Sequence, residues 1–271
     1  TACIEYSAKG EVIATRFFNS VIRSRERMTY TDVRRILVDR DPATIERYAD
    51  LAPQFALMEE LTLLILEKRK ARGNLDFDLP EAEIILDIQG VPEDIIRAER
   101  NIAHRIIEEF MIAANEAVAR HLTAKELPAL YRVHEGPEKE SLEAVAPFLL
   151  SLGYRLPLKK DKIAPLEIQN LLEVARGKPE ERVLNRVLLR AMKQALYQPE
   201  NIGHFGLASR CYTHFTSPIR RYPDLIVHRM LDKAIRGEKL TGAEREDLSS
   251  YLVAAGKHTS DRERNAMDAE R

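Results

Sequence analysis

The densest run of chemically capable side chains lies between His204 and Arg229, HFGLASRCYTHFTSPIRRYPDLIVHR. Hydrogen-bond donors and aromatic rings are separated there by small residues. Thr216, Ser217 and the backbone before Pro218 read as a helix start, where free N–H groups and the positive end of the helix dipole suit an anion. Arg220 and Arg221 then fall in the first turn. Cations at a helix N-terminus oppose the dipole, so a purely structural role would be an odd use of them. Two arrangements relieve the conflict: a phosphate held between the arginines, or ion pairs to Asp224, one turn on.

Other candidates in and around this run are weaker. His204, His214 and His228 are too widely spaced for a ligand set and are assigned to packing and hydrogen bonding. Ser217 lacks the acidic partner pattern of a nucleophile. Cys211 reads as a small buried residue. Asp76 and Asp78 could be a metal pair, but Gly73 and Pro80 make them equally good turn residues, and no metal is assigned to them. Phe77 between them would alone be a core strand residue, and Glu108 a solvated acid on a helix.

The elements that must hold these residues follow from periodicity. The chain opens on a hairpin, with Ile4 to Tyr6 and Val12-Ile13 around a Lys9-Gly10 turn. Thr29-Tyr30-Thr31-Asp32 precedes a short helical run, Val33 to Leu37, and Asp41-Pro42 starts another helix. Apolar residues at helical spacing continue from Ile45 to Lys70, with a break or restart at Pro53 and a stop at Gly73. Leu75 to Ile88 is strand-like and Gln89-Gly90 is a turn. A long helix is expected from about Pro92 to Leu122. Leu130 to His134 is extended, and three helices follow with breaks at Gly153 and Gly177. Asn201 to Thr216 reads as loop and short strand, followed by a helix from about Pro218 to Arg236. Thr241-Gly-Ala-Glu244 is a capping box that opens a last helix, running to Arg271. The fold class is α+β and helix-rich, a single domain over 1–271 that looks cut at both ends.

Composition bounds the function. The 271 residues are 45% hydrophobic and 31% charged, an ordinary globular balance. The longest apolar run, Leu61 to Leu66, is far short of a membrane span. Two cysteines, Cys3 and Cys211, and no signal-peptide pattern point to a reducing, cytoplasmic setting. The formal net charge is −1, which excludes a generally basic nucleic-acid coat but not a local basic groove. Two stretches are locally basic. Arg16 to Arg35 holds six arginines against Glu26 and Asp32. Arg210 to Arg236 holds five arginines and Lys233 against Asp224 and Asp232. A solvated face is the ordinary use of either stretch taken alone.

The His204–Arg229 run resembles the signature of the ribonuclease II/ribonuclease R family, the RNB catalytic domain, and is nearer the ribonuclease R branch. Further segments match that family in order: Met28-Thr-Tyr30, Arg72 to Glu81, Glu99-Arg100, Ile107 to Glu116, Tyr131 to Pro137 and Ala269-Glu-Arg271. The resemblance implies a processive 3′→5′ hydrolytic exoribonuclease that acts on single-stranded RNA with two Mg²⁺-type ions and releases nucleoside monophosphates. It implies Arg220 as the catalytic arginine and Glu270 as a glutamate near the scissile phosphate. It implies Phe77 as an aromatic that stacks the terminal bases, and Tyr30 and Glu108 as ribose contacts. Thr216, Ser217, Arg221 and Tyr222 would position phosphates or support those that do. The family's aspartate cluster for metal has no counterpart here, so the chain resembles the C-terminal part of the domain, with no metal ligand of its own and no expected activity alone. The alternative is a non-catalytic RNA-binding module on the same scaffold.

Overall fold

The computed structural model describes residues 1–77, 82–86, 89–97, 100–158 and 162–270. Asp78, Pro80, Glu81, Glu99 and Arg271 lie outside the described residues. At the start, Ala2–Tyr6 (β1) and Val12–Phe17 (β2) pair antiparallel, closed by a turn in which Gly10 takes φ 71°. Thr29 caps the helix Tyr30–Arg34 (α1) by accepting from the Asp32 N–H at 3.0 Å. A π-helical turn, Arg35–Asp39, prolongs it. Asp41 caps Pro42–Arg47 (α2). The apolar period that runs through Ile45 is then interrupted, and Ala52–Arg72 (α3) restarts with Pro53 in its first turn, where a missing N–H is tolerated. Gly73 ends α3 at φ 98°, and a Cβ there would sit 2.6 Å from the Leu166 nitrogen, so only glycine fits.

The long helix expected from Pro92 is instead two elements. Pro92–Arg97 (β4) pairs antiparallel with Ala82–Leu86 (β3) across the Gly90 turn. Val91 precedes a proline, which biases it to extended backbone. The helix Ile102–Ala124 (α4) begins only after Asn101, whose side-chain oxygen accepts from the Ala103 N–H at 3.0 Å. Among the described residues of the strand-like stretch from Leu75, the strand is Ala82–Leu86. Leu75 donates its N–H to Gly206 O at 2.9 Å, which ties this segment to the His204–Arg229 run.

Beyond α4 come Tyr131–Val133 (β5), then Lys139–Ser151 (α5), Pro165–Ala175 (α6) and Glu181–Ala191 (α7), with Gly153 and Gly177 in the breaks. A short strand that periodicity could not show, Leu196–Gln198 (β6), pairs with β5. The last helices are Tyr222–Arg236 (α8) and Gly242–Ala269 (α9), the second opened by the Thr241/Glu244 capping box. The start of α8 corrects the sequence reading. Pro218–Arg220 is a separate turn, so Thr216 and Ser217 do not begin the helix and Arg220 is not in its first turn. A helix from Pro218 would place Pro223 in its interior, without an N–H and against a carbonyl one turn back. Starting at Tyr222 puts Pro223 in the first turn instead.

Helix α4 joins the two cores that matter for the site. Near its N-terminus Ala103 and Ile106 pack with Val33, Ile36 and Leu37. Toward its C-terminus Val118, Ala119 and Leu122 pack with Tyr131, Val133, Phe215, Val227 and Met230. Each fully buried Val, Leu or Ile of this kind contributes about 1.5–3 kcal/mol. Helices α5, α6 and α7 form a further core around Leu149, Ile168, Leu184 and Leu188. Helix α9 lies against β6 at Gly256, where a Cβ would meet Tyr197 O at 2.7 Å, and Ser260 Oγ accepts the Tyr197 N–H at 2.9 Å. Among the described residues no helix is long and apolar enough to cross a membrane.

Candidate nucleic-acid interface

The His204–Arg229 run is held from inside by α4. Asn115, buried on that helix, accepts the Phe215 N–H at 2.9 Å and donates to Tyr212 Oη at 3.0 Å. Thr213 Oγ1 donates to Leu130 O at 2.5 Å. His228 on α8 donates from Nε2 to Phe215 O at 2.9 Å and stacks on the Phe215 ring at 4.3 Å. Downstream, Asp224 is fully buried in the first turn of α8. It accepts the Ser217 N–H at 2.7 Å and both Nε and Nη2 of Arg221 at 2.8 Å. The ion pair to Asp224 is therefore made by Arg221 and not by Arg220. Arg220 is exposed at the end of the preceding turn, and no hydrogen bond or ion pair of its side chain occurs among the described residues. Thr216 and Ser217 are half-buried beside it, and Tyr222 is exposed with its hydroxyl 2.5 Å from that of Tyr251 on α9.

Three histidines under this surface are neutral by environment. Burial pulls His204 down to about 3, with the neighbouring His134 ring and the Arg132 guanidinium further disfavouring its protonation. Burial and then the neighbouring Arg221 and Arg132 guanidiniums pull His214 down to about 2. Burial also lowers His134, which donates from Nε2 to Lys193 O at 2.8 Å and accepts the Gly206 N–H at 3.0 Å. His214 shares a hydrogen bond with Tyr197 Oη at 2.7 Å, and Arg132 stacks over that tyrosine at 4.5 Å. His204, His214 and His228 thus serve packing and hydrogen bonding, as their spacing suggests. The positive charge here is left to guanidinium groups.

The N-terminal turns of α4 collect the other candidates. Tyr30, the first residue of α1, is 46% exposed, and its ring stacks on His104 at 4.0 Å. His104 Nδ1 is 3.1 Å from Asn101 Oδ1, the cap of α4. Glu108 is one turn further along the same face. Its two oxygens accept from Arg100 Nη2 at 2.9 and 2.8 Å. The other arm of Arg100 reaches Asp76 Oδ1 at 2.7 Å, and Arg105 reaches Asp76 Oδ2 at 3.3 Å. Burial alone would raise the Asp76 carboxyl, but Arg100 and Arg105 outweigh it and hold it below the ordinary range. Phe77, next in sequence, packs partly against the α5–α7 core. Beneath them the buried Arg69 joins Glu109 on α4 to Asn74.

The structure thus gathers Tyr30, Glu108 and the Asp76-Phe77 segment at one end of α4, and Thr216 to Tyr222 on the segment fastened further along it. Glu270 is exposed, caps the C-terminus of α9, and makes no side-chain bond to either group among the described residues. Sequence reasoning missed Arg100, His104 and Asn115 as organisers. Arg100 and Glu108 are eight residues apart across a helix start, which no periodic pattern marks. Asn115 sits at a core position of a helix, where its polar side chain was the available signal.

Comparison with known proteins places this geometry. The RNB domain pattern matches residues 1–237. The chain belongs to the RNB domain family. Ribonuclease R of Aquifex aeolicus is 46% identical over 98% of the chain, and Ribonuclease R of Escherichia coli 38% identical over 98%. The chain spans 37% and 33% of those relatives' lengths. Among solved structures, Mycoplasma genitalium RNase R in complex with ribose-methylated single-stranded RNA superposes with a TM-score of 0.88, at 29% identity, over 99% of this chain and 42% of that one. Yeast Ssd1, a pseudonuclease, shares the fold at a TM-score of 0.68 and 18% identity, over 94% of this chain and 30% of that one. The match confirms the α+β, helix-rich RNB fold expected from the sequence.

Among the described residues no three His, Cys, Asp or Glu side chains form a group able to hold an ion. The nearby carboxylates are committed to cations: Asp76 and Glu108 to Arg100, Glu109 to Arg69 and Asp224 to Arg221. A divalent ion fits none of these pairs as they stand.

Proposed function

We propose that the protein is a metal-dependent 3′→5′ exoribonuclease of the cytoplasm that degrades single-stranded RNA to nucleoside monophosphates. The observation that carries this reading is the contrast between neighbours: Arg221 is locked on the buried Asp224, while Arg220 beside it is exposed and unpaired among the described residues. A guanidinium held on a fixed turn with its donors free is suited to the charge that develops on a scissile phosphate. The Ribonuclease R names of the relatives and the RNA in the Mycoplasma genitalium structure support the substrate class. The free thiols of Cys3 and Cys211 are in keeping with a reducing compartment.

In this reading Arg220 stabilises the reacting phosphate, and Glu270 assists the nucleophile or the leaving group. Arg221, Thr216, Ser217 and Tyr222 fix the phosphate path. Tyr30 and Glu108 read the ribose, where the 2′-OH separates RNA from DNA. Phe77 stacks the terminal bases, worth about 1–3 kcal/mol per base. Two divalent ions of the Mg²⁺ type, when bound, supply an activated water and charge neutralisation. Their ligands are assigned, on the family resemblance alone, to an aspartate cluster outside these 271 residues.

The test compares the full-length gene product with the 271-residue chain on labelled single-stranded RNA with magnesium. The full-length protein is expected to release mononucleotides from the 3′ end, and the chain alone none. Magnesium-dependent release by the chain alone would overturn the ligand assignment. Steeply salt-dependent RNA binding with no release by the full-length protein would replace the enzyme by the alternative drawn from the sequence, a non-catalytic RNA-binding module on the same scaffold.

A further inference from the structure

Arg100 is placed where two candidate contacts meet. Its Nη1 donates to Asp76 at 2.7 Å, and its Nη2 spans both oxygens of Glu108 at 2.9 and 2.8 Å. The two carboxylates sit on different elements, one beside Phe77 and the other in the second turn of α4. Without the cation between them they would repel. One planar guanidinium sets their spacing through two separate nitrogens, Nη1 on Asp76 and Nη2 on Glu108, which the single nitrogen of a lysine does not provide. Each carboxylate oxygen keeps a free lone pair for a further donor.

The remaining anchors tie the segment before Phe77 to α3, to α4 and to the His204–Arg229 run. Asn74 is held by the buried Arg69, and Leu75 by Gly206 O at 2.9 Å. Asp76 is held by Arg100 and by Arg105, itself on α4. These anchors leave Phe77 little freedom relative to Glu108. The Arg100, Asp76 and Glu108 side chains are 41%, 27% and 37% exposed. Ion pairs this accessible add little to folding stability, so the arrangement calls for another use.

We propose that Arg100 is a positioning residue that registers base stacking on Phe77 against sugar reading by Glu108. The inference rests on the ribose and stacking roles given above. A terminal nucleotide then meets one unit, and its base and its 2′-OH are tested together rather than in turn.

The experiment uses the full-length protein and two readouts. One is the ratio of cleavage rates for RNA and for the same oligonucleotide with single 2′-deoxy sugars near the 3′ end. The other is fluorescence quenching of a 3′-terminal 2-aminopurine. Arg100→Gln is expected to narrow the sugar ratio by about fivefold or more and to weaken the quenching, with the melting transition unchanged. Arg100→Lys should restore neither fully. Asp76→Asn cuts one arm only and should weaken quenching while keeping the sugar ratio. If Glu108→Ala alters the ratio and Phe77→Ala the quenching, but Arg100→Gln alters neither, Arg100 has no positioning role. A loss of both readouts together with the melting transition would make Arg100 merely structural and overturn the proposal. If Glu108→Ala and Phe77→Ala change nothing, the ribose and stacking assignments themselves fail, whatever Arg100→Gln does.

Discussion

Arg221 grips Asp224 with two parallel hydrogen bonds of 2.8 Å, and the same buried carboxylate accepts the backbone N–H of Ser217 at 2.7 Å. One side chain thereby fixes the end of the Thr216-Ser217 segment, the first turn of α8 and the neighbour of Arg220. Asp224→Ala would leave a partly buried guanidinium and a backbone donor without their acceptor. The expected cost is about 3–5 kcal/mol, the loss typical of breaking a buried ion pair. Denaturant unfolding measures it, and a change within about 0.5 kcal/mol, as at an ordinary surface site, would show that the clamp is dispensable.

Arg220 should behave in the opposite way. With its side chain exposed and unpaired among the described residues, Arg220→Ala should leave the unfolding midpoint unchanged. In the full-length protein it should lower turnover by about 10²–10³-fold, the usual loss for one preorganised charge stabiliser, with RNA affinity much less affected. Arg220→Lys should rescue poorly. Single-turnover kinetics on a short RNA separates the two terms, and parental turnover in both variants would return Arg220 to the surface.

The ribose contacts predict a change in selectivity. An ionised Glu108 only accepts, and a 2′-OH is a donor that DNA lacks. Tyr30→Ala together with Glu108→Ala in the full-length protein should narrow discrimination between RNA and DNA by about tenfold, equivalent to about 1.4 kcal/mol. Cleavage of chimeric oligonucleotides with one deoxy sugar reads it out. Unchanged discrimination at every sugar position would make Glu108 a helix-surface acid held by Arg100.

Acid should destabilise the fold through His204 and His214. Their folded values, about 3 and about 2, are far below the ordinary 6.5 of histidine. Between these limits the unfolded chain binds protons that the folded chain refuses. Stability is therefore complete above about pH 6.5 and falls as the pH drops toward 3, by up to about 1.4 kcal/mol per pH unit for each histidine. Urea unfolding at pH 7, 6 and 5 measures the slope, and replacing both histidines by Gln should flatten it. A parental midpoint that does not move between pH 7 and 5 would contradict the buried neutral assignment.

Much of this protein was legible in the order of its residues, because local signals act over one or two turns. Thr29, Asp41 and the Thr241/Glu244 pair start helices where their side chains can cap, and Gly73, Gly153 and Gly177 mark stops and breaks. The motifs around Arg220, Phe77 and Glu108 pointed to the RNB family, which the match over residues 1–237 bears out. Other features depended on contacts distant in sequence. Pro92–Arg97 has enough helical periodicity to mislead, and its pairing with Ala82–Leu86 makes it a strand. Asp224 could have paired with either arginine, and only the turn at Pro218–Arg220, with the helix beginning at Tyr222, gives it Arg221 and leaves Arg220 exposed. Arg100 bridges Asp76 and Glu108 from 24 and 8 residues away. No periodicity encodes such a meeting, since it exists only once Asn101 has started α4 and Gly206 has anchored Leu75.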